Sequence, residues 1–282
     1  MKMTGRSWQL ARECWQLPRG GAIMGILNVT PDSFSDGGRH SGVEAAVAHA
    51  RQMWLRGADM IDIGGESTRP GSAEVDEAEE LSRVLPVIET LRSKHPEMRL
   101  SIDTRHASVA RAALLAGVDV VNDITGLSDP AMRLLCAQQP CGIVLMHMQG
   151  TPRTMQQAPH YHDVVAEVRA FFEERVALAV AAGIAPQRIC LDPGIGFGKT
   201  CAHNVALIRG LEQLRVQNLP MLMALSRKRF LGELLHNADA AKTSPLPTVV
   251  MSLLAADNGA DMHRVHDVAA LRQALCLRAA AR

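Results

Sequence analysis

A chain of 282 residues, 47% of them hydrophobic and 21% charged, with a formal net charge of +1, has the composition of an ordinary globular protein. The balanced charge gives no large field of either sign, so neither nucleic acid nor a membrane surface is indicated as a partner. No apolar run reaches the roughly 18 residues of a membrane span, and the length suits one large domain within the roughly 200 to 400 residues of an α/β barrel.

Met1 to Arg19 mixes Trp8, Arg12, Glu13 and Trp15 and lacks the continuous apolar core of a signal peptide, which makes a cytoplasmic location the expectation. Short apolar runs then recur: Ala22 to Leu27, Met60 to Ile63, Leu100 to Ile102, Val118 to Val121, Ile143 to Met146, Ile189 to Leu191, Met221 to Leu225 and Met262 to Val265. Amphipathic stretches separate them. Val43 to Arg56, Val75 to Lys94 and Val164 to Ala182 keep apolar residues at the three- and four-residue spacing of helices. Strand and helix in alternation predict parallel pairing with helices outside. A doubly wound open sheet would alternate in the same way; eight evenly spaced runs favour a closed (β/α)8 TIM barrel. The six cysteines, Cys14, Cys136, Cys141, Cys190, Cys201 and Cys276, contain no C-x-x-C pair, so neither a zinc site nor a disulfide framework is expected.

Gly- and Pro-rich stretches at 30–40, 64–72 and 192–200 each follow an apolar run. In a barrel, the loops that follow the strands carry the chemistry. The strands also end on polar residues: Asn28, Asp103, Asn122, His147, Asp192 and His266. Any one of these could merely cap a helix or open a turn. Independent caps need not all coincide with strand ends, so the set points to a site on one rim. Alternation along the last strand puts Arg264 and His266 on one face and His263 on the other. The two histidines therefore share no metal site, whereas Arg264 with His266 suits an anion. Lys228 and Ser226 follow the seventh run directly, which makes Lys228 a candidate substrate contact; a solvated Lys-Arg cluster is the bland reading. Asp103, Asn122 and Asp192 offer acceptors and an amide that pair with the parallel N–H donors of an aminopyrimidinone edge, because a buried carboxylate is costly unless paired. Metal binding by these three is the alternative. Gly194 to Gly198 lacks the acidic partner of a dinucleotide fingerprint and reads as a tightly turning loop, with Phe197 available to pack on a flat ligand.

Met24-Gly-Ile-Leu-Asn-Val-Thr-Pro-Asp-Ser-Phe-Ser-Asp-Gly-Gly38 and Asp62-Ile-Gly-Gly-Glu-Ser-Thr-Arg-Pro-Gly71 resemble the two signature segments of the dihydropteroate synthase family. Matches continue through Ser101-Ile-Asp-Thr104, Asn122-Asp-Ile124, Leu145-Met-His-Met-Gln149, Leu191-Asp-Pro-Gly-Ile-Gly-Phe-Gly-Lys199, Ser226-Arg-Lys228 and Arg264-Val-His-Asp-Val268. The resemblance covers roughly residues 22 to 275 and leaves 1 to 21 as an N-terminal extension of a single pterin-binding domain, 1–282. It implies a TIM-barrel transferase of folate synthesis that condenses 6-hydroxymethyl-7,8-dihydropterin diphosphate with 4-aminobenzoate to 7,8-dihydropteroate, releasing pyrophosphate. Mg2+ and a homodimer are implied with it.

By the same resemblance Asn28 holds the metal, and Thr68, Arg264 and His266 join it on the diphosphate. Asp103, Asn122, Met146, Asp192 and Lys228 contact the pterin. Phe34, Arg69 and Pro70, on two closing loops, form the 4-aminobenzoate pocket with Phe197 and Ser226. Asp103, Asp192, Lys228, Arg264 and His266 would carry the chemistry, without a protein nucleophile. The alternatives are a catalytically inactive pterin-binding paralogue and a methyltetrahydrofolate-type methyltransferase domain, which has no use for Asn28, Arg264 and His266 as a diphosphate set. One segment departs from the family: Thr243-Ser-Pro-Leu-Pro-Thr248 stands where most members carry an Arg and a Gly-Ser or Gly-Thr step. Its two prolines should delay the next helix to about Thr248, close to the subunit contact that the family implies.

Overall fold

The computed structural model describes residues 5–18, 21–30, 38–66 and 74–281, with backbone alone for 38–41. Phe34, Thr68, Arg69 and Pro70 lie outside the described residues. Two short antiparallel strands, β1 (Ser7–Gln9) and β2 (Cys14–Gln16), precede eight that pair in parallel: β3 (Ala22–Asn28), β4 (Met60–Gly64), β5 (Leu100–Asp103), β6 (Val120–Asp123), β7 (Gly142–Met146), β8 (Ile189–Asp192), β9 (Leu222–Met223) and β10 (Met262–Val265). The sheet runs β8-β7-β6-β5-β4-β3-β10-β9, and a bridge between Leu191 and Met221 brings its two ends together. The expected barrel is therefore present, and the open-sheet alternative is set aside. The seventh run is the weakest strand. Only Leu222–Met223 of the expected Met221 to Leu225 pairs regularly, at the seam where the barrel closes.

Helices alternate with the strands: α1 (Gly38–Leu55), α2 (Glu77–Lys94), α3 (Ala107–Leu115), α4 (Pro130–Gln138), α5 (Val164–Ala181), α6 (Cys201–Arg209), α7 (Arg229–Leu234), α8 (Ala240–Thr243), α9 (Leu246–Asp257) and α10 (Val268–Ala280). Side-chain caps start several of them. Asp76, Asp129, Asp163 and Thr200 each accept backbone N–H groups of the first turn. The helix after the two prolines begins at Leu246, earlier than the expected Thr248. Pro245 stands at the cap and Pro247 in the first turn, where a missing N–H loses no helical hydrogen bond. The prolines thus open this helix instead of delaying it.

Strand alternation separates two cores. Ile23, Leu27, Ile61, Ile63, Ile102, Val121 and Ile143 face the helices. Ala22, Met24, Met60, Val120, Val144, Cys190, Leu222 and Met262 point into the barrel and cluster with Trp8, Leu10, Trp15 and Leu17. The N-terminal segment, which carries no structural expectation from sequence, is thus a hairpin that corks the barrel at the N-terminal ends of its strands. Trp8 Nε1 donates to Arg188 O at 2.9 Å. Arg12 pairs with Asp119 (2.5 and 3.1 Å), just before β6, and Arg6 with Asp261 (2.8 Å), just before β10. All six cysteines are free thiols. Among the described residues no helix is long and apolar enough to cross a membrane.

Candidate active site at the C-terminal mouth of the barrel

Above the apolar half of the interior, the inward positions turn polar. Register aligns Asn28 with Gly64, Gly64 with Asp103, Asp103 with Asn122, and Met146 with Asp192. Paired residues in a parallel ladder face the same side, so these side chains share the barrel mouth with Arg264. His263 points the other way and is fully buried, its two ring nitrogens without hydrogen-bond partners among the described residues. Burial pushes its pKa down to about 4, so it remains neutral. It is a core residue apart from Arg264, as the alternation requires.

Arg264 joins the site together. Its Nε donates to Asp62 Oδ2 at 2.6 Å and its Nη2 to Asp103 Oδ2 at 2.5 Å. Asp62 Oδ2 also accepts from Asn122 Nδ2 at 2.9 Å, while Asp62 Oδ1 is buried and has no hydrogen-bond partner among the described residues. A guanidinium has five N–H donors in a fixed fork, so two carboxylates can orient it while other donors remain for a ligand. Burial alone would lower the Arg264 pKa, but Asp62 and Asp103 outweigh it and hold the group charged. Burial raises Asp103, against the pull of Arg264.

Asp62 is the residue that sequence reasoning missed. The polar residues legible in the sequence end their strands, whereas Asp62 sits inside the apolar run Met60 to Ile63. A carboxylate embedded in a buried strand is expensive without a partner, and that cost was the available signal.

Asp192 is buried on β8 and its Oδ1 accepts the Gly194 N–H at 2.7 Å. Burial raises its pKa, opposed first by Lys228. The Lys228 ammonium donates to Ile195 O and lies 4.5 Å from the centre of the Phe197 ring. Burial pushes Lys228 down to about 8, opposed by Asp192. Between Ser226 and Lys228, Arg227 adopts a left-handed φ of 58°, a conformation that costs a non-glycine residue about 1 kcal/mol or more. Its N–H donates to Thr248 Oγ1 at 3.2 Å, so the departing segment supports the turn that presents Lys228. Ser226 Oγ accepts the His266 N–H at 3.2 Å and lies 2.9 Å from His266 Nδ1, bringing the ends of β9 and β10 together.

His147, expected on the rim, turns away from this set and faces Lys199 Nζ at 2.9 Å. Asp62, Asp103 and Asp192 oppose Arg264 and Lys228, three carboxylates against two cations. That balance suits a ligand presenting N–H donors or developing positive charge.

Among the described residues, two places are chemically able to hold a divalent cation. Magnesium keeps several waters and takes one or two protein oxygens together with phosphate oxygens. The half-buried Asn28 amide at the mouth fits that demand, one strand from the Gly64 position that adjoins Asp103. The second set, Glu66, Glu80 and His106, has ligand atoms within 4.8 Å of one another. It fits magnesium less well, because Arg105 already donates to both Glu66 oxygens at 3.1 and 3.2 Å.

The profile of the pterin binding enzyme family matches residues 24–266 of this chain. A dihydropteroate synthase of Escherichia coli K12 is 47% identical over 246 residues, 87% of this chain and 86% of the relative. A Xanthomonas albilineans dihydropteroate synthase solved with 4-aminobenzoic acid superposes with a TM-score of 0.91 at 46% identity, covering 99% of this chain and 98% of that one. The enzyme from the same organism in complex with 7,8-dihydropteroate gives a TM-score of 0.87 at 44% identity, covering 98% of each chain.

Proposed function

Because this chain belongs to the pterin binding enzyme family, and within it to the dihydropteroate synthases, we propose that it condenses 6-hydroxymethyl-7,8-dihydropterin diphosphate with 4-aminobenzoate to 7,8-dihydropteroate. The observation that carries the reading is the convergence of Asp103, Asn122, Asp192, Arg264 and Lys228 at one barrel mouth. Met146 lines the pterin slot beside Asp192. Asp103, Asn122 and Asp192 read the ring's N–H edge, and Lys228 donates to its acceptors. Asn28, Thr68, Arg264 and His266 hold the diphosphate. Phe197 and Ser226, with Phe34, Arg69 and Pro70, take the arylamine.

The amine nitrogen attacks the pterin methylene carbon, the C–O bond to diphosphate breaks, the amine loses a proton, and pyrophosphate leaves. Positive charge develops on the pterin side and negative charge on the leaving group. Asp192 favours the first and Arg264 with His266 the second. Asn28 would hold Mg2+, which when bound neutralises charge on the diphosphate oxygens. Catalysis then amounts to orientation and charge stabilisation, with no protein nucleophile.

A cytoplasmic location suits this chemistry. Residues 1–282 act as one unit, with the hairpin as part of the barrel. A homodimer accounts for the stripe Leu246, Val250 and Leu254 on α9, all exposed at four-residue spacing, and for exposed Leu277 on the adjoining α10.

Pyrophosphate release from purified protein with both substrates and magnesium tests the activity; no turnover sinks it. In Asp192→Asn an acceptor becomes a donor facing the ring's N–H groups, and pterin affinity should fall about 100-fold. Unchanged binding in calorimetry would refute the assigned role. The pH profile follows from Lys228, which is charged below its lowered pKa of about 8 and neutral above it. A decline of kcat/KM as pH rises through about 8 is expected. That limb should vanish in Lys228→Met, whose lower activity no longer depends on this proton.

A further inference from the structure

The loop from Gly194 to Gly198, between β8 and α6, is gripped from two sides by ammonium groups. Lys199, only 3% exposed, donates through Nζ to Gly194 O at 3.0 Å and Phe197 O at 2.9 Å. Its third contact is His147 Nδ1 at 2.9 Å. From the other side, Lys228 Nζ donates to Ile195 O.

Backbone conformation makes this double grip possible. Gly194, Gly196 and Gly198 have φ values of 66°, 82° and 62°, a region that side chains disfavour. The turns they form send the carbonyls of residues 194 and 197 to one lysine and that of residue 195 to the other. A Cβ at Gly194 would lie 1.8 Å from His147 O, and one at Gly196 would lie 3.0 Å from Lys228 Cδ. Gln156 Nε2 also donates to Gly196 O (2.6 Å), and Asn204 Oδ1 accepts the Gly196 N–H (2.8 Å).

An ammonium has three donors and no acceptor. In the ammonium form of Lys199 all three donors are used inside the protein, so the opposing Nδ1 of His147 accepts and its proton sits on Nε2. Burial, helped by the Lys199 charge, pushes His147 down to about 3 and keeps it in that accepting state. Burying an ammonium merely to staple a turn is costly; burial pushes Lys199 itself down to about 7. What the staple holds is therefore informative. The loop carries Phe197, gives Lys228 its carbonyl partner, and begins at the Gly194 N–H bound to Asp192.

We propose that Lys199, paired with His147, is a positioning residue that holds the Gly194–Gly198 loop so that the Phe197 ring forms one wall of the aromatic-amine site. The inference rests on the arylamine pocket proposed above, and it specifies how that pocket keeps its shape without Lys199 touching substrate.

The test combines backbone amide exchange at residues 194–198, measured on the full chain without substrate, with steady-state kinetics. Lys199→Met and His147→Leu should each quicken exchange in this loop roughly tenfold or more. Both should raise the KM for 4-aminobenzoate about tenfold, with a smaller change in kcat and in the KM for the pterin diphosphate. In His147→Asn, whose Oδ1 can take the place of Nδ1, both quantities should stay near those of the unaltered protein. Unchanged exchange in Lys199→Met overturns the clamp. Quickened exchange with an unmoved KM overturns the role in the reaction. If Lys199→Met does not fold, the two His147 variants decide, and equal behaviour of Asn and Leu overturns the proposal. Failure of the unaltered protein to turn over is a separate result, because amide exchange is read without substrate.

Discussion

Arg264→Met is expected to reduce kcat/KM by about 1,000-fold and, at the same time, to cost the fold about 3 to 5 kcal/mol. The first effect follows from the guanidinium's place in the proposed chemistry, where it stabilises the charge of the departing diphosphate. The second follows from what Arg264 touches within the protein. Asp62 and Asp103 both direct an oxygen at its fork, at 2.6 and 2.5 Å. Asp62 is fully buried and, among the described residues, keeps only the Asn122 amide when Arg264 is gone. Two carboxylates left in a low-dielectric interior must take up protons or distort the barrel mouth.

Neutralising the orphaned acids separates the two effects. Asp62→Asn and Asp103→Asn, added to Arg264→Met, should recover much of the lost stability in urea denaturation, because no charge is then stranded. Initial rates should not recover with it, and should fall further because Asp103 also reads the pterin edge. Stability that is unaffected by Arg264→Met would mean that the two carboxylates find other partners, and would remove Asp62 from its orienting role.

Asp62 also marks where sequence reading reached its limit. The rim residues were legible because each ends an apolar run, and strand parity then placed Arg264 inside and His263 outside. Asp62 lies one turn of the pleat deeper, and only three-dimensional closure reveals that its partner comes from the last strand, about 200 positions away. Lys199 was hidden for a related reason. A lysine after a glycine-rich loop reads as solvated, and its burial depends on carbonyl directions set by three left-handed glycines. The homologous segments supplied substrates that periodicity could not supply. The prolines at 245 and 247 open the helix because they fall at its cap and first turn, where proline is tolerated, and not in its interior, where proline breaks it.

Least legible of all was the hairpin under the barrel, and it yields the largest expected effect on stability alone. Trp8→Ala should destabilise the protein by about 3 to 5 kcal/mol, a large share of the about 5 to 15 kcal/mol by which domains are stable. Trp8 is fully buried among Trp15, Met24, Val120, Val144 and Leu222, its ring centre 6.5 Å from that of Trp15. Its removal leaves a cavity at the base of eight strands and strands the Arg188 carbonyl that Nε1 now reaches at 2.9 Å. Trp8→Phe keeps most of the ring volume and loses that hydrogen bond, so it should cost only about 1 to 2 kcal/mol. Both variants should retain kcat/KM at low temperature, because the apolar half of the interior separates the hairpin from the mouth. A Trp8→Ala protein that stays folded by circular dichroism but loses activity would show that the hairpin shapes the site and does more than close the barrel.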